Sequence, residues 1–203
     1  MNRDTEPYLQ PYVQATQQHG AGFKSLLWAS PRTQQARFDA LLRVCDFRGR
    51  QVLDAGCGRA DLLDYLLRLG IEVEHYTGLE AVAALAEVAR RKQHPRALII
   101  EADFVRQPHR LLAAADMIVF CGSLNTFDDK TFYDTLAMAY SAATEIVAFN
   151  FLSSPRLAGA DWLSWHRPEE VVTFAQRLTP EVTMLNDYMD GDCTIAMRKN
   201  NRQ

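Results

Sequence analysis

The sequence predicts an α/β fold with a seven-stranded, mostly parallel sheet, one antiparallel strand and helices on both faces. Between residues 51 and 178, five short apolar runs alternate with amphipathic segments of helical period. A helix between two strands acts as a crossover, which places those strands parallel. Two more apolar runs end the chain. The stretch between them, Met-Asp-Gly-Asp at residues 189–192, is typical of a hairpin turn.

Each element follows from its local pattern. Residues 6–18 suggest a first helix, and a second is predicted from Pro31 to Phe47, where Phe38 and Leu41 recur at helical spacing after a proline suited to a first turn. The fourth strand is nearly all apolar, as in a strand covered on both faces. The predicted strands are 51–56, 72–80, 96–103, 116–122, 144–151, 181–188 and 192–199, and the helices among them are 60–70, 81–94, 106–115, 130–143 and 167–178.

Length, charge and cysteine usage narrow the class of protein. The 203 residues predict one domain, and the net charge of −3 argues against a dedicated nucleic-acid binder. The first 20 residues lack the apolar core of a signal peptide, and no run approaches the roughly 18 apolar residues of a membrane span. Scattered cysteines without a C-x-x-C pair favour free thiols in a cytoplasmic protein over a disulfide framework or metal site: Cys45, Cys57, Cys121 and Cys193. No feature sets an oligomeric state.

The stretch from Val52 to Leu63, VLDAGCGRADLL, predicts a ligand site. An apolar run stops at Asp54, Gly56 and Gly58 follow, and a helical pattern begins near Ala60. In open parallel sheets, ligands bind at the carboxyl ends of strands where the strand order reverses. Glycines there allow positive φ and close approach, and a helix N-terminus favours an anionic group. The pattern therefore indicates a nucleotide-like ligand with an anionic end.

The same stretch argues against a dinucleotide. A dinucleotide fingerprint has glycine at the third position of G-x-G-x-x-G, whereas this sequence has Asp61 there. A carboxylate at the start of the helix repels a pyrophosphate. NAD and FAD are therefore disfavoured as ligands.

Four segments in order resemble the motifs of class I S-adenosylmethionine-dependent methyltransferases: VLDAGCGRA, YTGLEA, EADF and DMIVFCGSLN. The resemblance covers residues 36–199 and implies a Rossmann-like sheet with S-adenosylmethionine as cofactor. One departure is Ala60, which stands where the family has its third glycine. Alanine is the smallest change and is tolerated in helix geometry, so cofactor binding is expected to persist.

The resemblance also implies which residues hold the cofactor. Glu80 would grip the ribose, since a carboxylate accepts from two hydroxyls. Asp103 would accept from the adenine amino group beside Phe104, and Asp54 would face the methionine amino end. The full predicted set is Asp54, Ala55, Gly56, Cys57, Gly58, Glu80, Ala81, Asp103, Phe104, Cys121, Gly122, Ser123 and Trp28.

Plainer interpretations remain for several of these residues. Glu80 could cap a helix, Asp103 could be a loop acid, Phe104 could belong to the core and Asp54 could only form the turn. Packing explains Cys57 better than reactivity does.

The N-terminal segment QHGAGFKSLLWASPRTQQARF resembles, more loosely, a bacterial group of this class without an assigned substrate. In this architecture a segment before the first strand commonly covers the cofactor. We therefore predict a lid or cap in residues 1–35 and the methyltransferase domain in residues 36–203. Trp28 either contacts the ligand or anchors the segment to the core.

The expected reaction is in-line transfer of a methyl group to a small-molecule acceptor. The residues after the fourth strand, Cys-Gly-Ser-Leu-Asn, lack the (Asp/Asn/Ser)-Pro-Pro-aromatic clamp of enzymes acting on planar amide or base nitrogens. With the acidic net charge, this disfavours DNA or RNA as acceptor. Two other functions stay open: a non-catalytic protein that binds the cofactor or its product, and a nicotinamide-dependent oxidoreductase.

Candidates for acid–base or substrate contacts are weak. His19, Lys24, His166 and Tyr188 can each titrate or donate, although isolated residues of these types more often lie at the surface or pack. The stretch 161–166, Asp-Trp-Leu-Ser-Trp-His, follows the fifth strand and could form an aromatic wall beside the acceptor or a staple for the next helix.

Overall fold

The fold is described by a computed structural model over residues 5–200. Residues 1–4 of the predicted N-terminal lid and residues 201–203 of the predicted methyltransferase domain lie outside this range. The strands are β1 Gln51–Ala55, β2 His75–Glu80, β3 Ala97–Glu101, β4 Met117–Phe120, β5 Ile146–Leu152, β6 Val182–Leu185 and β7 Asp192–Arg198. The helices are α1 Gln10–His19, α2 Pro31–Val44, α3 Asp61–Arg68, α4 Ala83–Arg91, α5 Asp129–Ala142 and α6 Pro168–Leu178.

The sheet has the predicted architecture. Its seven strands are ordered β3-β2-β1-β4-β5-β7-β6, and β7 runs antiparallel to both β5 and β6. The chain builds the sheet outward from β1 to β3 and then returns to place β4 on the other side of β1. The strand order therefore reverses between β1 and β4, which puts the expected ligand crevice at their carboxyl ends.

Helices cover both faces, as predicted. On one face, Phe132 and Leu136 of α5 pack in the same core cluster as Phe149 of β5. On the other face, Leu41 of α2 and Leu66 of α3 share a cluster with strand residues. Because β4 and β5 are buried along their whole length, their apolar sequences follow directly from this double coverage.

One predicted helix is shorter than expected. Within residues 106–115 the structure has only a 3-10 helix, Pro108–Leu111. Leu112, with φ −79° and ψ 46°, already leaves helical geometry, and the left-handed φ of 52° at Ala114 keeps the chain from resuming it before β4. A second 3-10 helix, Phe23–Leu26, lies in the N-terminal segment. Within residues 5–200, no helix combines the length and apolar character needed to cross a membrane.

The start of α2 is encoded by a reciprocal cap. The Ser30 hydroxyl accepts from the Thr33 backbone N–H at 3.2 Å, and the Thr33 hydroxyl accepts from the Ser30 N–H at 3.1 Å. Pro31 occupies the first turn, where its missing N–H costs nothing. The cap sets the register of α2 and so brings Arg37, one turn further on, to the crevice.

Candidate functional site

A cavity opens at the carboxyl ends of β1, β2 and β4, with the N-terminal segment forming part of its wall. It contains about 1020 Å³ of empty space including its open mouth, which is ample for a small organic ligand. Of the residues predicted to hold the cofactor, all but Ala55 line this cavity. Ala55 is fully buried in the sheet.

The glycine corner after β1 is left-handed at three alternating positions. Gly56, Gly58 and Ala60 have φ values of 81°, 56° and 55°. A methyl group on Gly56 would lie 2.4 Å from the Cβ of Ser123, whose hydroxyl donates to the Ala55 carbonyl at 2.6 Å. A methyl group on Gly58 would lie 2.8 Å from Leu26 Cδ2. Side chains of the protein itself therefore make the close approaches that these glycines permit.

Ala60 corrects one expectation. It does not adopt helix geometry, because α3 begins one residue later and Ala60 is its left-handed N-cap. The glycine that the family has at this position suits such a φ better, and alanine costs on the order of 1 kcal/mol there. Its methyl group is nevertheless buried in the core cluster beside α3.

Glu80 lies at the end of β2 and joins two loops. Its Oε2 accepts from the Gly58 N–H at 2.8 Å and its Oε1 from the Val82 N–H at 2.7 Å. Burial raises the pKa of the carboxyl to about 7, and these N–H bonds oppose the rise. Glu80 lines the cavity, and each carboxylate oxygen can accept a second hydrogen bond, so the capping contacts do not exhaust it as an acceptor.

Asp54, at the end of β1, has one unsatisfied oxygen. Its Oδ2 accepts from the Tyr76 hydroxyl, whereas its buried Oδ1 has no hydrogen-bond partner among residues 5–200. Burial raises the pKa of this carboxyl to about 7; the Tyr76 bond lowers it and the Glu80 charge adds to the rise. A buried acceptor without a partner costs about 1–3 kcal/mol, so the site lacks a donor here.

Asp103, the third acid predicted to hold the cofactor, accepts hydrogen bonds from its own loop and from the N-terminal segment. Asp103 Oδ1 accepts from the Val105 N–H at 3.0 Å, and Oδ2 accepts from the Tyr8 hydroxyl at 2.8 Å. Phe104 packs edge-on against Phe120 with ring centroids 5.6 Å apart. Both residues therefore hold structural contacts and also line the cavity.

The chain after β4 faces the N-terminal segment. A methyl group on Gly122, which has φ 77°, would lie 2.8 Å from Trp28 Cη2. The Trp28 ring also packs against Arg37, with the guanidinium carbon 5.0 Å from the ring centroid. Trp28 is therefore both an anchor of its segment and part of the cavity wall.

The acid–base candidates lie apart from the cavity lining. His19 and Lys24 are exposed on the N-terminal segment. His166 is buried and stacked on Phe132 at 3.8 Å, and burial lowers its pKa. Tyr188 donates to Asp192, and burial raises the pKa of its phenol, so it holds its proton. Across residues 5–200, no three His, Cys, Asp or Glu side chains are grouped to bind a metal ion.

Sequence reasoning missed several lining residues, of which Arg37 is the most informative. Arg37 is buried at 5% exposure, and its Nε donates to Asp192 Oδ2 at 2.7 Å. Tyr12 also lines the cavity, and its pKa is raised to about 12 by burial and by the charge of Glu80. Arg37 is the second-last residue of the segment QHGAGFKSLLWASPRTQQARF quoted above, and that resemblance was the one available signal.

Comparison with known proteins decides what this arrangement is. Residues 52–145 match a family model described as a methyltransferase domain, which spans β1 to β4 and α5 and so contains the glycine corner and all four acids of the cavity lining. Residues 52–145 are therefore matched as a methyltransferase domain. No curated protein matches the methyltransferase by sequence.

Solved structures resemble the fold of the methyltransferase at low sequence identity. The DhpI-SAM-HEP complex is 17% identical with a TM-score of 0.68, covering 95% of this chain and 96% of that one. Magnesium protoporphyrin IX methyltransferase (ChlM) from Synechocystis PCC 6803 with bound SAM is 11% identical with a TM-score of 0.67, covering 98% and 100%. A SAM-dependent methyltransferase from Archaeoglobus fulgidus is 15% identical, with a TM-score of 0.64 and coverage of 82% and 94%. The Rossmann-like architecture of the methyltransferase is confirmed.

The cavity of the methyltransferase fits S-adenosylmethionine by charge. Its charged lining residues are Asp54, Asp61, Glu80, Asp103 and Arg37, so acids outnumber the single guanidinium in the described lining. The unsatisfied Asp54 Oδ1 is the acceptor that an ammonium group needs. A sulfonium and an ammonium both gain from such surroundings, whereas a pyrophosphate is repelled.

Proposed function

We propose that this methyltransferase transfers a methyl group from S-adenosylmethionine to a small-molecule acceptor bound beside the end of β4. The observation that carries the proposal is the buried, unsatisfied Oδ1 of Asp54 in an acid-lined cavity at the strand reversal. The non-catalytic alternative and the oxidoreductase are less favoured, because residues 52–145 match a methyltransferase domain.

Each part of the cofactor has a matching group in the cavity. Glu80 offers its free lone pairs to the ribose hydroxyls, and Asp103 with Phe104 forms the adenine subsite. The Oδ1 of Asp54 accepts from the ammonium group of the methionine end. Arg37 binds the carboxylate of the methionine end. Its hydrogen bonds to Asp192 use Nε and Nη2, which leaves Nη1 free to donate to the ligand.

The protein's task in the reaction is mainly alignment and exclusion of water. S-adenosylmethionine supplies a methyl carbon that its positive sulfur already activates. The Trp28 ring packs directly against Gly122, so Trp28, Cys121 and Gly122 form one continuous part of the cavity wall that excludes water on this side. Alignment of this kind can be worth several kcal/mol. Burial raises the pKa of the Cys121 thiol, so this residue stays neutral during transfer.

The acceptor subsite follows from what remains of the cavity lining. Asn125 and Phe127 lie after β4, and Trp162 and Leu163 come from the loop between β5 and α6. That loop is fastened to the subsite, because the Ser164 N–H donates to the Asn125 carbonyl at 2.7 Å. Apart from the Asn125 amide, these residues are apolar or aromatic, and Arg37, the one cationic lining residue among those described, is paired with Asp192. These features support a small, largely apolar acceptor rather than a nucleic acid.

The N-terminal segment acts as the lid, with Trp28 as its contact. Replacing Trp28 with alanine is expected to weaken binding of S-adenosylhomocysteine roughly tenfold, because the wall over Gly122 and Arg37 is lost. Calorimetric titration with S-adenosylhomocysteine measures the change in affinity. Trp165→Ala is the matched control, since Trp165 is 37% exposed and does not line the cavity. Equal losses in both variants would remove the lid role from Trp28.

Cofactor affinity is expected to depend on pH through Asp54 and Glu80. Burial raises both folded pKa values to about 7, so a bound cation favours the ionised forms and affinity rises from pH 6 to pH 8. The sign for stability is opposite. The folded protein keeps protons that the unfolded chain releases between about pH 4 and pH 7. The contribution of these two carboxyl groups to the free energy of unfolding is therefore complete below about pH 4, and it is lost as pH rises through 7.

The measurement is a titration of wild type and Asp54→Asn with S-adenosylmethionine at several pH values. The variant should show a flatter pH dependence of affinity than wild type. A wild-type affinity that does not change between pH 6 and pH 8 contradicts the assignment.

The decisive experiment for the function has two stages. Calorimetric titration with S-adenosylmethionine, S-adenosylhomocysteine and NAD should show binding of the first two alone. A screen of metabolite extracts with a labelled methyl donor then identifies acceptors. Tight binding of NAD without S-adenosylhomocysteine would restore the oxidoreductase, and cofactor binding with no transfer to any extract would favour the non-catalytic protein.

The cellular location belongs with this proposal. All four cysteines are free, and three of them are buried. Free thiols of this kind support a cytoplasmic, reducing environment.

A further inference from the structure

A buried polar network joins α2 to β7 behind the cavity wall. Asp192, the first residue of β7, is 1% exposed, and its Oδ2 accepts from both Nε and Nη2 of Arg37. Its Oδ1 accepts from the Tyr188 hydroxyl, which also lies 2.8 Å from the Thr194 hydroxyl. Thr194 in turn accepts from the Asn150 amide at 2.6 Å.

We propose that Asp192, supported by Tyr188, is a positioning residue that directs Arg37 Nη1 toward the carboxylate at the amino-acid end of the cofactor. The proposal rests on the proposed function, because it presumes that this ligand occupies the cavity. Asp192 lies in none of the four methyltransferase-like motifs and is 155 positions from Arg37 in the chain, so the sequence alone does not identify it.

The planar guanidinium makes this positioning effective. Because Nε and Nη2 lie on one edge of the plane, a single carboxylate oxygen that binds both fixes the plane and the direction of Nη1. A methyl group placed on Gly122 would lie 3.2 Å from Nη1, so this nitrogen reaches the chain just after β4. The Trp28 ring restrains the guanidinium from the side at 5.0 Å.

Charge balance determines what kind of contact results. The charges of Arg37 and Asp192 cancel, so the ligand carboxylate meets a neutral pair rather than a free cation. Selectivity for the amino-acid end then depends on a directed hydrogen bond from Nη1, which weakens steeply when the donor turns away. Loss of Asp192 or Tyr188 should therefore affect ligands that carry the carboxylate and spare those that lack it.

The experiment compares two ligands by calorimetry: S-adenosylhomocysteine and 5′-methylthioadenosine, which keeps the nucleoside and lacks the amino-acid end. Asp192→Asn should lower affinity for S-adenosylhomocysteine roughly tenfold to hundredfold and change affinity for 5′-methylthioadenosine by less than about twofold. Tyr188→Phe, a milder variant if Asp192→Asn folds poorly, should show the same selectivity with a smaller loss. Tyr65→Phe, which removes a tyrosine–aspartate bond outside the cavity lining, is the control.

A double-mutant cycle separates positioning from a general structural role. In an Arg37→Met background, Asp192→Asn should cause no further loss of S-adenosylhomocysteine affinity, because its effect passes through the guanidinium. Equal losses for both ligands, or a full additional loss in the Arg37→Met background, overturn the proposal while leaving the function intact. Wild-type protein that binds neither ligand overturns the function itself, and this inference with it.

Discussion

Replacing Glu80 with alanine is expected to weaken S-adenosylmethionine binding by about 1–3 kcal/mol, or roughly five- to 150-fold. This is the scale of hydrogen bonds lost to a charged group, here the proposed bonds between the ribose and the carboxylate. The same change also leaves the buried N–H groups of Gly58 and Val82 without their acceptors. The free energy of unfolding should therefore fall by on the order of 1–3 kcal/mol, although removal of a buried charge offsets part of this.

Glu101 provides the matched control. It is the residue paired with Glu80 across the sheet at the end of β3, but its side chain is about half exposed, 49%. Glu101→Ala should change both stability and affinity by less than about 0.5 kcal/mol. Affinity is measured by titration calorimetry and stability by urea unfolding. If Glu80→Ala binds the cofactor as tightly as wild type does, Glu80 does not hold the ribose.

Gly56→Ala should lower the free energy of unfolding by roughly 2–5 kcal/mol. A left-handed φ costs alanine about 1–2 kcal/mol, and overpacking against Ser123 adds about 1–3 kcal/mol. The added methyl group would lie 2.4 Å from the Cβ of Ser123, so one of the two chains must shift. Such a shift narrows the cavity at the strand reversal, and cofactor binding should be lost with it.

Two further variants separate the backbone cost of Gly56→Ala from the cost of its clash with Ser123. Gly49 has φ 65° with no atom within 4 Å of an added methyl group, so Gly49→Ala should show the backbone cost alone. Combining Ser123→Gly with Gly56→Ala removes the clash and should recover part of the stability. A cost for Gly56→Ala no larger than that for Gly49→Ala would show that Ser123 moves aside freely.

The fold could be predicted because its signals are local. Alternating apolar runs and helical segments, and the Asp-Gly at 190–191 in the final turn, give the strands and helices without any knowledge of distant contacts. The short helix predicted in residues 106–115 is only the 3-10 helix Pro108–Leu111, because Leu112 and Ala114 leave helical geometry. The expectation that Ala60 has helix geometry was wrong for a related reason, because the φ of a single residue cannot be predicted from hydrophobic spacing.

The site could be predicted only where a motif names its residues. The three acids and the glycine corner were accessible in this way, and the structure brings them to one cavity. Their contacts were not accessible, because Tyr8 reaches Asp103 across 95 positions and Arg37 reaches Asp192 across 155. Pairs this distant leave no spacing pattern in one sequence.

The two walls of the cavity are attached to the molecule in different ways. The Ser123 hydroxyl ties the chain after β4 to the end of β1, so the inner wall belongs to the sheet and shares its rigidity. The outer wall comes from α1, the residues just before it and the adjoining 3-10 helix, and the Tyr8 hydroxyl ties it to Asp103 in the loop after β3. We therefore expect spent cofactor to leave by undocking of residues 5–30 while the sheet stays intact. On this proposal, the sequence of residues 5–30 determines how long the product stays bound.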